Sequence, residues 1–444
     1  MADLSVNFAG IKSPNPFWLA SGPPSNSGAQ VLRAFEMGWG GAVWKTLGDP
    51  IVDTSSRFGA VSLGGVRIAG FNNIELITDR PLETNFREIR EVKRAFPDRA
   101  VIVSLMVESK EDWKEVIRRA EDTGCDGLEL NFGCPHGMCE RGMGSAVGQE
   151  PRVLTEVARW AVEFASVPVI VKLSPNVTDI IEPGLAAMEA GVHGLSLINT
   201  IKSFTGVDLD RFVPYPVVGG RSTNGGYCGP AVKPIALHMV ASLAKDPRIT
   251  VPISGIGGIA TWRDAAEFIA LGATSVQVCT AVMHYGFRIV EEMIDGLESY
   301  LDEKGMSSLA ELRGKALPAY VDWGDLDLNY KIVADVDPAL CIGCGLCKVA
   351  CRDSAVACIH GAGEPLTVGH LAPRRDEAIA TAASKEGHIV WVDETECIGC
   401  NLCYHVCPVA GCITMKDVTN GAAFESWNDR IAKGTAKVPG GLHD

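Results

Sequence analysis

The first 300 residues alternate short apolar, β-branched runs with amphipathic stretches. Apolar residues at helical spacing predict helices between the runs, at 83–95, 110–123, 151–165 and 261–271 among others. The runs themselves predict eight strands, at residues 17–21, 42–46, 101–106, 127–132, 167–173, 194–199, 251–255 and 275–279. Strands separated by such helices are typical of βαβ units and a parallel sheet. The pattern therefore predicts an α/β fold, a (β/α)8 TIM barrel.

A doubly wound sheet is the alternative, but it usually has fewer strands, and no GxGxxG turn follows a strand and opens a helix here. The alternation ends after residue 312, and a cysteine-dense segment begins at residue 335. We therefore predict a barrel over 1–312, a linker over 313–334, a cysteine-rich domain over 335–415 and a polar C-terminal tail over 416–444.

Eight cysteines of that domain repeat the spacing C-x2-C-x2-C-x3-C twice. This spacing is typical of two [4Fe–4S] clusters in a ferredoxin-like domain, where the fourth cysteine of each motif binds the other cluster. The predicted ligand sets are Cys341, Cys344, Cys347 and Cys407 for one cluster, and Cys397, Cys400, Cys403 and Cys351 for the other. Zinc is the alternative, but it would need two CxxC pairs per site. Cys358 and Cys412 fall outside both sets, and we predict apolar packing for them.

The composition limits the classes of binding partner and the cellular compartment that we expect for the protein. The formal net charge of −14 over 444 residues argues against nucleic acid as a partner. The N-terminus lacks the charged and apolar regions of a signal peptide, and no apolar run reaches about 18 residues, so we expect no membrane span. Fifteen cysteines without a secretory signal indicate reduced thiols and a cytoplasmic protein.

Polar side chains lie at the predicted carboxyl ends of the barrel strands, where barrel enzymes place their catalytic groups. Asparagines and lysines dominate there, without a carboxylate pair or a His/Asp metal cluster. Amides suit a ligand with alternating donors and acceptors, such as a flavin ring or a pyrimidine, and lysines suit an anionic reduced flavin. The residues at these ends are Ala20, Ser21, Lys45, Thr46, Asn73, Asn131, Lys172, Asn199 and Thr200. Gly257 and Gly258, with Cys279 and Thr280, predict a phosphate cradle after strands seven and eight, and Gly229 is assigned to the same cofactor.

Residues 131–144 read NFGCPHGMCERGMG and predict a mobile loop over the site, with glycines as hinges. Cys134 lies at its base. A thiol with the ordinary cysteine pKa of about 8.5 is mostly protonated at neutral pH, the form that a general acid needs. A buried cysteine without a catalytic role is the alternative. His136 is a candidate substrate contact or a solvated loop residue.

This loop, with ASGPP at 20–24, KLSPNVTDI at 172–180 and the double ferredoxin motif, resembles the dihydropyrimidine dehydrogenases in their bacterial, NAD-dependent form. The resemblance covers nearly the whole chain. It implies FMN, two [4Fe–4S] clusters, and reduction of uracil and thymine to their 5,6-dihydro forms. It also implies a second, FAD-containing subunit that oxidises NAD(P)H and passes electrons through the clusters, in a hetero-oligomer built on a dimer.

The resemblance also implies roles for individual residues. Lys172 would face flavin N1, and Cys134 would protonate C5 of the pyrimidine while hydride reaches C6. Ser21, Lys45 and Thr46 would hold the isoalloxazine or its neighbourhood. The substrate's carbonyl and N–H edges would contact Asn73, Asn131, Asn199 and Thr200. One departure is Gly133, where the animal enzymes have a serine.

Two other functions stay open at this point. A dihydroorotate dehydrogenase shares the barrel, FMN and a cysteine after strand four, but it needs a cation for the orotate carboxylate and ordinarily lacks a fused ferredoxin domain. An electron-transfer module with the barrel as a scaffold would show no activity on uracil. A purely structural protein is hard to reconcile with eight cysteines at ligand spacing.

Overall fold

The chain forms two compact units, Met1–Ala319 and Tyr320–Asp444. The boundary between them falls inside the segment that we predict to be a linker. The computed structural model describes residues 2–49, 51, 53–63, 66–135, 142–361 and 390–436. Among these residues, no helix is both long enough and apolar enough to cross a membrane.

The first unit is a closed barrel of eight parallel strands, and the predicted (β/α)8 fold is confirmed. Each predicted strand overlaps one observed strand. The closing contact pairs the last strand with the first, with Val276 beside Phe17. The strands are buried on both faces, which explains their continuous apolar runs. They are β1 (Phe17–Leu19), β2 (Gly41–Gly48), β3 (Ala100–Met106), β4 (Gly127–Asn131), β5 (Val169–Lys172), β6 (Gly194–Leu197), β7 (Ile253–Ile256) and β8 (Ser275–Val278).

Helices surround the barrel and bury one face each. The third helix buries Trp113, Val116, Ile117 and Ala120, the i, i+3, i+4, i+7 spacing that places four side chains on one stripe. The helices of this unit are α1 (Gly28–Glu36), α2 (Leu82–Ala95), α3 (Lys110–Glu121), α4 (Ser145–Gly148), α5 (Pro151–Phe164), α6 (Ile181–Glu189), α7 (Lys233–Lys245), α8 (Trp262–Ala270), α9 (Thr280–Tyr285), α10 (Ile289–Glu303) and α11 (Leu309–Leu312).

A four-stranded antiparallel sheet, absent from the sequence prediction, is inserted after β2 and β6. Its order is Ile201–Ser203, Gly225–Cys228, Val66–Asn73 and Phe58–Leu63. Two short hairpins also belong to this unit, Val6–Phe8 with Ile11–Ser13 and Val207–Asp208 with Val213–Pro214.

The second unit is built from two similar halves. Each half has a cysteine loop, a helix and a strand, and a small core of apolar side chains and cysteines joins the halves. Strand β9 pairs with β12, and β10 pairs with β11, both antiparallel. The elements are β9 (Ile332–Val336), α12 (Leu346–Ser354), β10 (Ile359–Gly361), β11 (Val390–Val392), α13 (Leu402–Val406), β12 (Ile413–Asp417) and α14 (Trp427–Ala432). The last of these helices lies in the segment that we predict to be a polar tail.

Candidate active site

A cavity lies at the carboxyl ends of the barrel strands. Strands β5, β7 and β8 and the residues that follow β1 and β6 form its wall, and the inserted sheet adds Phe58, Phe71 and Tyr227. Eleven of the residues that we predict for this site line the cavity together: Ala20, Ser21, Asn73, Lys172, Asn199, Thr200, Gly229, Gly257, Gly258, Cys279 and Thr280.

Lys172 is held in the cavity wall by a carboxylate inside the barrel. Its Nζ lies 3.5 Å from Oε1 of Glu129, whose side chain is fully buried. Ser196 Oγ and Gln277 Nε2 donate to the other oxygen of Glu129, at 2.8 and 3.0 Å. A buried carboxylate needs such partners because desolvation of an isolated charge is costly. The network fixes the Lys172 ammonium at the end of β5.

Sequence reasoning missed this network. Glu129 and Gln277 each interrupt an apolar strand, and a polar side chain on a strand buried on both faces must have a partner. These two polar residues within apolar strands are the signal from which the sequence could have predicted the network. Gln277 also lines the cavity, and its buried Oε1 has no hydrogen-bond partner among the described residues. A ligand in the cavity can satisfy it.

A chain of polar side chains crosses the barrel mouth beside Lys172. Thr46 Oγ1 lies 3.1 Å from Ser21 Oγ and 3.0 Å from Ser104 Oγ, and it accepts from Asn131 Nδ2 at 2.9 Å. Asn131 Oδ1 accepts in turn from Asn199 Nδ2 at 2.8 Å. Thr46 and Asn131 lie behind the cavity wall, while Ser21 and Asn199 line it. The chain fixes which amide and hydroxyl atoms face a ligand.

Lys45 pairs with a second buried carboxylate. Its Nζ lies 3.0 Å from Oε2 of Glu75, and Asn73 Nδ2 donates to the same oxygen at 3.2 Å. The other carboxylate oxygen of Glu75 lies 3.1 Å from Arg57. Lys45 is buried and lies outside the cavity lining. Asn73 lines the cavity, so it is the member of this group that faces a ligand.

Two glycines form the turn that follows β7. Gly257 and Gly258 have φ of +130° and +72°, conformations that side chains other than glycine rarely adopt. A Cβ at Gly257 would lie 2.8 Å from Ala236 Cβ, and one at Gly258 would lie 2.8 Å from Lys233 Cβ. The turn therefore packs its backbone closely against α7, and both glycines line the cavity. Nearby, α9 begins at Thr280 without a side-chain cap, so its first N–H groups are available to a phosphate.

Other groups of the wall stay neutral. Burial raises the pKa of Cys279 to about 12 and also raises the pKa of Cys228, so both remain thiols at neutral pH. Burial lowers the pKa of His284, which favours the neutral imidazole. In the described part of the wall, Lys172 is the only lysine or arginine. A cation, an unpartnered oxygen and a glycine turn around one cavity fit the chemistry of a flavin nucleotide.

Cys134 lies at the base of the predicted loop, three residues after the end of β4, and outside the cavity lining. It is buried, and its Sγ donates to Leu76 O at 3.6 Å. The side chains of Ile77, Met106 and Met143 pack with it. The thiol therefore has an apolar surrounding and one defined acceptor. The middle of the predicted loop, which contains His136, lies outside the described residues.

Gly133 packs against a predicted substrate contact. A Cβ at this position would lie 2.4 Å from Cβ and 2.6 Å from Nδ2 of Asn199. No real side chain tolerates such distances, so Asn199 occupies the space that a residue at position 133 would need. Glycine is therefore required here for the observed Asn199 conformation.

The cysteines of the second unit line two separate cavities. Each cavity collects the set of four that we predict from the crossed motif. The first contains Cys351, Cys397, Cys400 and Cys403, and the second contains Cys341, Cys344, Cys347 and Cys407. Among the described residues, no three His, Cys, Asp or Glu side chains converge as one metal ion requires. Four thiols around a larger space fit a cubane cluster better than zinc.

A parallel barrel with a polar cavity at its mouth, on a chain with two cysteine-lined cavities, defines an iron–sulfur flavoprotein of the oxidoreductase class. Residues 3–301 match the family model of dihydroorotate dehydrogenase, and residues 334–415 match that of the 4Fe-4S dicluster domain. The chain belongs to the dihydroorotate dehydrogenase family and, within it, to the dihydropyrimidine dehydrogenases.

Three relatives support this placement. The chain is 40% identical over 418 residues to the NAD-dependent dihydropyrimidine dehydrogenase subunit PreA of Escherichia coli (strain K12), covering 94% of this chain and 96% of the relative. It is 43% identical over 337 residues to the chloroplastic dihydropyrimidine dehydrogenase (NADP(+)) of Arabidopsis thaliana, covering 73% and 79%. It is 37% identical over 322 residues to the catalytic subunit of dihydroorotate dehydrogenase B (NAD(+)) of Pyrococcus abyssi, covering 71% and 99%.

The predicted resemblance, enzyme class and cofactors are thereby confirmed. The chain is a dihydropyrimidine dehydrogenase-type oxidoreductase with FMN and two [4Fe–4S] clusters, and its general chemistry is pyrimidine reduction. The roles of the individual site residues stay predictions.

Proposed function

We propose that the chain is the catalytic subunit of an NAD-dependent dihydropyrimidine dehydrogenase that reduces uracil and thymine to their 5,6-dihydro forms. The observation that carries this proposal is the polar chain from Thr46 through Asn131 to Asn199, next to Lys172 at the barrel mouth. Its amides offer donors and acceptors to the alternating carbonyl and N–H groups of a pyrimidine.

In the proposed mechanism, FMN supplies hydride for C6 of the pyrimidine when bound. Cys134 donates its thiol proton to C5, so that the ring gains one hydride and one proton across the C5–C6 bond. Asn73, Asn199 and Thr200 bind the carbonyl and N–H edges, and Asn131, behind the cavity wall, orients Asn199 through their hydrogen bond. The Lys172 ammonium, held by Glu129, stabilises negative charge near flavin N1.

Electrons enter from a second subunit in this proposal. The relative from Escherichia coli is itself named as a subunit, which supports assembly with a partner. We propose that this partner contains FAD and oxidises NAD(P)H, that the clusters carry its electrons, and that the assembly is a hetero-oligomer built on a dimer.

Dihydroorotate reduction or oxidation is the second candidate, because the relative from Pyrococcus abyssi is a dihydroorotate dehydrogenase. Two observations favour uracil. That relative is covered over 99% of its length by 71% of this chain, so the cysteine domain has no counterpart in it. Orotate also needs a cation for its carboxylate, whereas Lys172, the one lysine or arginine in the described cavity wall, is paired with Glu129.

Re-oxidation of the anaerobically reduced chain separates the two candidates. Uracil and thymine should re-oxidise the protein, and orotate should not. Re-oxidation by orotate with no response to uracil would establish the second candidate instead.

Cys134→Ala tests the proton donor. The variant should keep FMN and uracil binding but lose uracil reduction by about 10²–10⁴-fold, the usual contribution of a positioned general acid. Cys125→Ala is the matched control, since Cys125 is also a buried barrel thiol that donates to a backbone carbonyl, Ala120 O, at 3.4 Å. Near wild-type turnover in Cys134→Ala would remove this thiol from the mechanism.

A further inference from the structure

Two cysteines outside the ligand motifs occupy equivalent places in the two halves of the cysteine domain. Cys358 directly precedes β10, and Cys412 directly precedes β12. The carbonyl oxygen of Cys358 accepts from Asp393 N, and that of Cys412 accepts from Asp337 N, both at 2.8 Å. Both side chains are buried, at 3% exposure.

Each of these thiols enters one cluster cavity. Cys358 lines the cavity of Cys397, Cys400 and Cys403, and its Sγ lies 3.6 Å from Sγ of Cys351. It also interacts with Cys397. The fifth thiol therefore contacts the fourth cysteine of one motif and the first cysteine of the other.

The second half repeats this placement, and Sγ of Cys412 also lies 3.9 Å from Asp337 O. Cys412 lines the cavity of Cys344 and Cys347, and it interacts with Cys407 and Cys341. These are again the fourth cysteine of one motif and the first of the other. Apolar packing, which the sequence predicts for both thiols, would not require a polarisable S–H group at the same place in both halves.

We propose that Cys358 and Cys412 are hydrogen-bond donors to the two clusters, each directing its S–H to a sulfur of one cluster. This role rests on the ligand sets predicted above. A reduced cluster carries one more negative charge than an oxidised one, and hydrogen bonds to its sulfurs stabilise that charge. Each thiol therefore raises the reduction potential of its own cluster and favours transfer of electrons onto it.

The test is a redox titration of the full chain, purified anaerobically and followed by electron paramagnetic resonance, with iron analysis of every variant. Cys358→Ala should keep about eight irons per chain and lower the potential of one cluster. The ratio of reduced to oxidised cluster at fixed potential should fall about tenfold, about 59 mV for one electron. Cys412→Ala should shift the other cluster alone. Cys125→Ala, a buried thiol of the barrel unit, should shift neither.

Further variants separate hydrogen bonding from packing. Cys358→Ser and Cys412→Ser keep a donor and should hold the potential near the wild-type value, whereas Cys358→Val and Cys412→Val fill space without one and should lower it. Unchanged reduction potentials in the Ala and Val variants would show that these cysteines contribute only to packing. Loss of about four irons from the Ser variants would show that Cys358 and Cys412 are obligatory cluster ligands. That result would also overturn the proposal.

Discussion

The fully buried carboxylate of Glu129 determines where the Lys172 ammonium lies, because the two groups form an ion pair at the cavity wall. The carboxylate itself is oriented by Ser196 and Gln277, from β6 and β8. Four strands thus contribute side chains to this network at the cavity wall. Lys172, which lines the cavity, and its partner Glu129 lie on the neighbouring strands β5 and β4.

Glu129→Gln should raise the reduction potential of the flavin. The substitution removes the negative charge and leaves Lys172 uncompensated, which favours an anionic reduced flavin. We expect a shift of about 30 mV, equivalent to about 1.4 kcal/mol for a two-electron couple, measured by spectroelectrochemistry. Glu88→Gln is the control, since Glu88 also pairs with a cationic side chain, that of Arg80, at 2.6 Å, but both residues lie outside the cavity wall. An equal shift in both variants would contradict a local role for Glu129.

Gly133→Ser should weaken uracil binding. The new Cβ would lie 2.4 Å from Asn199 Cβ, so Asn199 must leave its hydrogen bond with Asn131. We expect KM for uracil to rise about tenfold, about 1.4 kcal/mol. Combination with Asn199→Gly, which lacks the overlapping Cβ, should remove the overlap and give a coupling energy of about 0.5–3 kcal/mol in a double-mutant cycle. Strictly additive effects would show that the two residues do not compete for space.

At the scale of elements, the sequence predicts the barrel well and the inserted sheet not at all. Each barrel strand is buried on both faces and therefore reads as a continuous apolar run, such as Ala100–Met106. Two of the inserted strands, Ile201–Ser203 and Gly225–Cys228, are short, and the sheet depends on pairings over long sequence distances, as Gly226 with Asn73. No local pattern encodes such a pairing.

The same contrast applies to the site. Asn199 and Lys172 could be predicted because they follow or end strands, and a barrel brings all strand ends together. Glu129 was missed because it lies within its strand. The surroundings of Cys134 were also beyond sequence reasoning, since Leu76 and Met106 reach it from other parts of the chain.

The glycine turn after β7 gives a prediction about cofactor retention. Gly257→Ala places a Cβ 2.8 Å from Ala236 Cβ at a φ of +130°, so the turn must move and the flavin content of the purified protein should fall. Gly124→Ala is the matched control, because its φ is +83° but nothing lies within 4 Å of the new Cβ. That variant should cost about 1–2 kcal/mol of stability and keep full flavin content. Flavin loss in both variants would point to general destabilisation.

At the scale of the whole molecule, the chain combines a flavin unit and a cluster unit but has no GxGxxG turn for a dinucleotide. The isolated chain should therefore reduce uracil with dithionite or reduced viologen and be inactive with NADH or NADPH. Addition of the proposed FAD-containing subunit should restore the nicotinamide reaction. Robust NADH-dependent uracil reduction by the purified chain alone would show that this division between subunits is wrong.

The closure of the barrel between its last and first strands has a consequence for biosynthesis. The pairing of β8 with β1 and the cavity wall both join residues near 20 to residues near 280. At a ribosomal rate of 5–20 residues per second, β1 waits roughly 13–50 s for β8 to be translated. Throughout that interval the nascent chain has an open sheet edge and an incomplete flavin cavity. Flavin can be enclosed only after translation of the whole barrel, so cofactor loading follows synthesis of the catalytic unit.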